Sequence, residues 1–173
     1  MSKKPSRSKR ALGYLSGFIL AVIFAGGLGS VIQTQFNLLA MSSIGPSIDF
    51  TTRLQVTGYD LVHFAPFLIG IMAVTFLFSL PVAHAFARIQ KRQFIGWCAA
   101  GTGIGFWLAL QLIDHLAPMP TLIAATRTSA GTFFMVMSAV SGGAVYAWLS
   151  RYFRRVLRGK VQPPETTVQG ASE

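Results

Sequence analysis

The sequence predicts an all-α integral membrane protein, a bundle of four transmembrane helices with both termini cytoplasmic. Three observations predict it. The chain is 52% hydrophobic and only 12% charged over 173 residues, and its mean hydropathy of +0.53 lies outside the usual soluble range. Four long stretches reach the length of about 20 apolar residues that crosses a hydrocarbon core. The basic residues are gathered at the ends of those stretches instead of being spread over a surface.

The four stretches are 11–33, 62–87, 94–113 and 128–150. Only the second holds ionisable groups of the kinds that titrate below pH 8, namely His63 and His84. Thirteen of the fifteen Lys and Arg fall in three flanks. These are the arm at 1–10 with Lys3, Lys4, Arg7, Lys9 and Arg10, the turn with Arg88, Lys91 and Arg92, and the segment with Arg151, Arg154, Arg155, Arg158 and Lys160. Arg53 and Arg127 stand alone in the other two connections. An even number of spans puts both ends on one side, and short basic flanks stay in the cytoplasm. The expected location is a bacterial cytoplasmic (inner) membrane, multi-pass, N-in and C-in. The net charge of +10 therefore belongs to membrane flanks and not to a nucleic-acid surface. The architecture is like that of many small four-span bacterial inner-membrane proteins, with no motif that carries a function across.

A basic arm before an apolar run also opens a secretory signal peptide. Here no A-x-A site closes the run, which continues through GGLGSVIQ and suits a span better. Gly26, Gly27 and Gly29 have the look of a phosphate loop, yet no strand precedes them and no Lys-Ser/Thr follows. Pro66 and Pro81 would kink the second span. Gly101 and Gly105 make a GxxxG in the third span, and Ser138 and Gly142 repeat the small-xxx-small spacing in the fourth. Such positions let backbones approach, so the third and fourth spans are expected to pack tightly. The single Cys98 reads as packing.

The only sizeable outer connection is 34–59. Gly45 and Pro46 mark a turn, after which Ser47 or Asp49 can cap a short amphipathic helix with an Asp49–Arg53 pair. It is long enough to lie as a lid over the bundle, with Phe36, Leu38, Leu39, Phe50 and Leu54 dipping into the interface. On the other side, Arg151, Arg154, Arg155 and Arg158 form one face of a basic amphipathic helix at 151–160, suited to anionic headgroups. Residues 161–173 are polar, contain two prolines and read as a disordered tail.

Counting about 20 residues from each cytoplasmic edge brings two Asp-His pairs to the outer mouth. Asp60 and His63 are spaced i, i+3, on one helix face; Asp114 and His115 are neighbours, about 100° apart on a regular helix. Pro118 and Pro120 would have to end that helix for both to join a site. Gln33, Gln35, Asn37 and Arg127 arrive at the same level. His nitrogen and Asp oxygen suit a divalent metal, but no HExxH, CxxC or carboxylate repeat supports one. Charged groups also belong at a water interface, where Arg127 would neutralise Asp114 or Asp60. Haem is not expected, because His63 and His115 lie too far out for a buried macrocycle. His84, near the inner edge, reads as a snorkelling or carbonyl-capping group.

These readings rank a non-enzymatic accessory or scaffold subunit first, with a membrane-protein partner or a second copy docking on the bundle and outer loop. A metal or small polar ligand binding or transport protein comes second, its site made by Asp60, His63, Asp114, His115 and Arg127. A metal-dependent membrane enzyme comes last, since no nucleophile accompanies that site.

Overall fold

The computed structural model describes residues 7–43, 45, 48–89, 93–116 and 123–157. Ser47, Pro46, Lys91, Arg92, Pro118, Pro120, Arg158, Lys160, the first six residues and the 161–173 tail lie outside the described residues. Those described are helical with no strand: α1 (Arg7–Ser42), α2 (Phe50–His63), α3 (Ala65–Ile89), α4 (Phe94–Leu116), a 3-10 turn (Ala124–Arg127) and α5 (Ser129–Leu157). The helices α1, α3, α4 and α5 are each long and apolar enough to cross a membrane. They form a ring in which α1 packs on α3 and α5, and α4 packs on the same two helices from the opposite corner. Neighbours are antiparallel, as short connections between long helices require.

Small side chains set the spacing at the centre. Ala21, Ala25, Ala139 and Ala147 are fully buried, and Leu68, Met72, Phe76, Phe106, Leu110 and Met135 fill the space between them. The outside carries the larger apolar load: Leu77, Phe78, Ile104, Phe133 and Trp148 all stand out, Phe78 with 71% of its surface exposed. A water-soluble bundle shows the reverse distribution.

The glycines show which faces meet. A Cβ on Gly101 would lie 2.9 Å from the Ala83 Cβ, and one on Gly105 2.9 Å from the Ser79 Cβ, so this pair faces α3 and not α5. The contact between α4 and α5 is made instead by Gly103, against Val140, and by Gly143, against Thr102 and the Cys98 carbonyl oxygen. Gly103 sits two residues from either member of the GxxxG, about 200° round the helix. Spacing marks a close face without saying which neighbour it meets. Gly142 packs on Ala25 and Phe76, and Ser138 lies beneath Gly29, so the second small pair faces α1. Gly26, pressed on Ile69, makes the AGGLGS run a helix crossing.

The connections differ from the sequence expectation in one consistent way: helix continues where a loop was expected. α1 has 36 residues, about 54 Å at 1.5 Å per residue, so it runs well past position 33. Asp49 caps α2 by accepting from the Thr51 amide at 3.3 Å, and α2 packs on α1 and α3. It continues α3 outward and stands beside α1, where a lid would cross the mouth. The joint is at Phe64, whose N–H still donates to the Asp60 carbonyl at 2.8 Å. Pro66 falls in the first turn of α3, where its missing N–H has no helical partner to lose, and Pro81 lies inside α3 without ending it. At the other end α5 runs unbroken through Arg151, Arg154 and Arg155, so the described part of the basic segment extends the fourth long helix.

Candidate functional site

The polar groups expected at the outer mouth are joined pairwise across helices. Thr34 on α1 has one hydroxyl proton and two acceptors in reach, the Ser30 carbonyl at 2.9 Å and the Asp60 carboxylate at 2.6 Å. The shorter bond, to the charged oxygen, takes the proton. The Ser30 hydroxyl approaches the Asp60 carbonyl at 3.4 Å, and Gln35 donates to the Thr57 hydroxyl at 3.1 Å, which itself donates to the Arg53 carbonyl at 2.7 Å. These bonds fasten α2 to α1 in antiparallel register.

Gln33, next to Thr34, fastens a different element. Its buried carbonyl oxygen accepts from the Ala125 N–H at 2.9 Å, a first-turn donor that the 3-10 turn cannot satisfy itself. The Thr126 hydroxyl then divides between the Ile123 carbonyl at 2.8 Å and the Asp114 carboxylate of α4 at 3.3 Å, the second being the weaker link. Thr128 caps α5 by accepting from the Gly131 N–H at 3.0 Å. A Cβ at Gly131 would strike the Ala125 carbonyl, so the turn folds tightly against the start of α5. A line of hydrogen bonds thus runs from α2 through Gln33 and Thr34 of α1 to the 3-10 turn and on to α4.

Three of the five proposed ligands have separate partners. Asp60 is engaged by α1 and Asp114 by the 3-10 turn. His63 is exposed and turns back on its own helix, with Nδ1 3.0 Å from the Tyr59 carbonyl oxygen and its ring stacked on Tyr59 at 3.9 Å. Because a carbonyl only accepts, Nδ1 carries the proton in that bond. His115 and Arg127 are exposed at the ends of α4 and the 3-10 turn. Among the described residues no three His, Cys, Asp or Glu side chains converge in a way that could hold a metal ion. His63→Ala and His115→Ala are accordingly expected to change stability by less than about 0.5 kcal/mol, measured by thermal unfolding in detergent.

The opposite end of the bundle is built differently. A cavity of about 470 Å³ opens where α1, α3, α4 and α5 meet, lined by Tyr14, His84, Ala87, Arg88, Phe94, Arg151 and Arg154. The Arg151 and Arg154 guanidinium carbons lie 5.3 and 5.7 Å from the Phe94 ring centre, and Arg154 is also 5.8 Å from that of Tyr14. Arg154 Nε donates to the Ser150 carbonyl at 3.1 Å. His84 Nδ1 sits 2.8 Å from the Leu80 carbonyl oxygen, and its ring meets Phe94 and Tyr146 edge-on.

No family model, curated protein or solved structure matches this chain. Between the two ends lies the lateral surface of the bundle. On that surface α3 and α4 line an apolar groove of about 580 Å³, with Phe86, stacked on Trp97 at 5.4 Å, among its lining residues.

Sequence reasoning placed the outer polar layer at one end but did not foresee Gln33 as the partner of Ala125, nor the grouping of Tyr14, His84 and Phe94 with the arginines. A signal for the second was present: an aromatic residue stands within about one turn of each of the first two basic flanks, at 14 and 94, and two stand inside the third, at 152 and 153. Guanidinium groups stack on such rings.

Proposed function

We propose that this chain is an integral protein of the bacterial cytoplasmic membrane, both termini inside, that works as a non-enzymatic accessory or scaffold subunit. Membrane insertion is supported by the four long apolar helices and by the many large apolar side chains that the bundle turns outward. The orientation is supported by the thirteen basic residues in the flanks assigned to the cytoplasm.

The observation that carries the role is a contrast within the outer hairpin of α1 and α2. Its polar side chains tie helices together, while α2 turns Phe50, Leu54 and Val62 outward, 75%, 65% and 68% exposed. α2 contains Arg53 and Asp60 and is not one of the membrane-length apolar helices. With 14 residues α2 is too short to cross a membrane, and an apolar stripe on such a helix fits the apolar extramembrane surface of a second membrane protein. A braced hairpin also presents that stripe with little ordering left to lose on docking.

The test is extraction of the full chain into native nanodiscs, wild type beside Phe50→Asp/Leu54→Asp. The expected result is a stoichiometric complex that dissolves in the double variant while its melting temperature stays within about 2 °C of wild type. A wild-type protein found alone, or a complex that survives both substitutions, overturns the reading. The second reading, a metal or polar ligand at the outer mouth, draws only on the presence of Asp60, His63, Asp114, His115 and Arg127 at that end. Stoichiometric metal in the purified protein that disappears in His63→Ala would put it first.

A further inference from the structure

We infer that the inner cavity is a binding site for one phosphate-bearing headgroup, supplied by an anionic phospholipid of the cytoplasmic leaflet. Its place in that leaflet rests on the orientation proposed above. The cavity itself is argued from its lining.

Three arginines, Arg88, Arg151 and Arg154, line a space of about 470 Å³ with no carboxylate among the lining residues. The three described acids are engaged at the opposite end: Asp49 at the Thr51 amide, Asp60 at Thr34 and Asp114 at Thr126. The other two, Glu165 and Glu173, belong to the tail outside the described residues. Like charges gathered at the edge of a low-dielectric bundle repel one another, and water screens them less there than on an open surface. An anion seated among them removes that repulsion.

The side chains are also held in place. Arg151 and Arg154 share the Phe94 ring, Arg154 is steadied further by Tyr14 and by the Ser150 carbonyl, and both residues are half-buried. The Ser150 bond occupies Nε of Arg154 and leaves its two terminal nitrogens, the fork that meets two oxygens of one phosphate. His84 holds its Nδ1 proton on the Leu80 carbonyl, so Nε2 is the nitrogen that faces a ligand, as acceptor when neutral and as donor when protonated. A free basic face would serve any anionic surface alike. Two arginines of α5 fixed on one ring, with Arg88 of α3 lining the same space, select a single group.

A lipid is favoured over soluble phosphate by position. The cavity opens at the inner ends of the long apolar helices, where the headgroups of the surrounding leaflet lie, and basic pockets between helices on this side suit anionic headgroups.

Native mass spectrometry of the full chain in mild detergent tests this, with phosphatidylglycerol, phosphatidylcholine of the same acyl chains, and inorganic phosphate as probes. Wild type is expected to retain one phosphatidylglycerol, and Arg151→Gln/Arg154→Gln to bind it about thirtyfold more weakly, at about fivefold per arginine. Arg155→Gln, on the same helix but outside the cavity lining, is the control and is expected to bind as wild type does. Equal weakening by Arg155→Gln would mean diffuse attraction and overturn the site. Displacement of the lipid by equimolar inorganic phosphate would assign the site to a soluble anion and overturn the lipid. Melting of each unliganded variant identifies any that has misfolded, and Phe94→Leu, which keeps all the charges and removes the shared ring, then serves as an independent variant expected to lose the preference for phosphatidylglycerol. Orientation is read separately by labelling Ser172→Cys in a Cys98→Ser background on intact cells. Label entering from outside overturns the leaflet without touching the binding result.

Discussion

Gly143→Ala is expected to lower the stability of the bundle by about 3 kcal/mol, at the upper end of what overpacking costs. The added carbon would press on the Thr102 hydroxyl and stand 2.6 Å from the Cys98 carbonyl oxygen and 3.0 Å from the Ala99 Cα. Two of these are backbone atoms of a helix and cannot rotate away, so α4 and α5 must separate. Separation opens the 2.9 Å approach of the Thr102 hydroxyl to the Ala139 carbonyl; the hydroxyl shares its one proton with the Cys98 carbonyl at the same distance. Adding Thr102→Ala should recover only part of the loss, because the Cys98 carbonyl remains in place, and the two substitutions should be non-additive. Gly27→Ala is the contrast: nothing lies within 4 Å of its Cβ position, and it is expected to gain about 0.5–1 kcal/mol from helix propensity. Unfolding titrations in mixed micelles measure both. A Gly143→Ala protein as stable as wild type would show that α4 and α5 do not meet at this glycine.

Gln33→Leu is expected to cost about 2 kcal/mol and to act far from its own position in sequence. Gln33 is 7% exposed and Ala125 1%, so leucine fills similar space but leaves a buried N–H without an acceptor, the costly case for a broken hydrogen bond. The 3-10 turn should loosen, and with it the link from Thr126 to Asp114. Amide exchange over residues 123–131 is the direct reading, expected to accelerate while the centre of α5 is unchanged. Gln35→Leu is the control on the same helix. Its partner Thr57 is half-buried and can turn to water, so its loss should cost less than about 1 kcal/mol. Equal exchange in wild type and Gln33→Leu would remove Gln33 from the brace.

Both predictions concern contacts that pattern alone does not reveal. The GTGIG run announces a close-packed face, and Gly101 and Gly105 do lie against another helix. That helix is α3, however, because the direction a face points is decided by how four helices are arranged around one centre. Gly103, the residue between them, meets Val140 of α5. In the same way GYDLVHFAP puts Asp60 and His63 within one turn of each other, but the two are drawn to different partners. Thr34 of the neighbouring helix offers Asp60 a short bond, while His63 has its own Tyr59 carbonyl and ring within reach.

Features that depend on local composition are legible in the chain. Uncharged runs of membrane length become helices long enough to cross a bilayer because every backbone group must be satisfied within the segment. Asp49 caps a helix because a short acceptor at that place meets a first-turn N–H. Polar residues accumulate at the ends of the runs because their burial in the middle would be costly. Tertiary structure alone decided the rest: that α1 continues to Ser42 by pairing with α2, that Gln33 serves an amide 92 residues away, and that arginines from α3 and α5 share a space with Tyr14, His84 and Phe94. Each of these joins residues distant in sequence, and the distance is closed by packing, whose geometry no local period encodes.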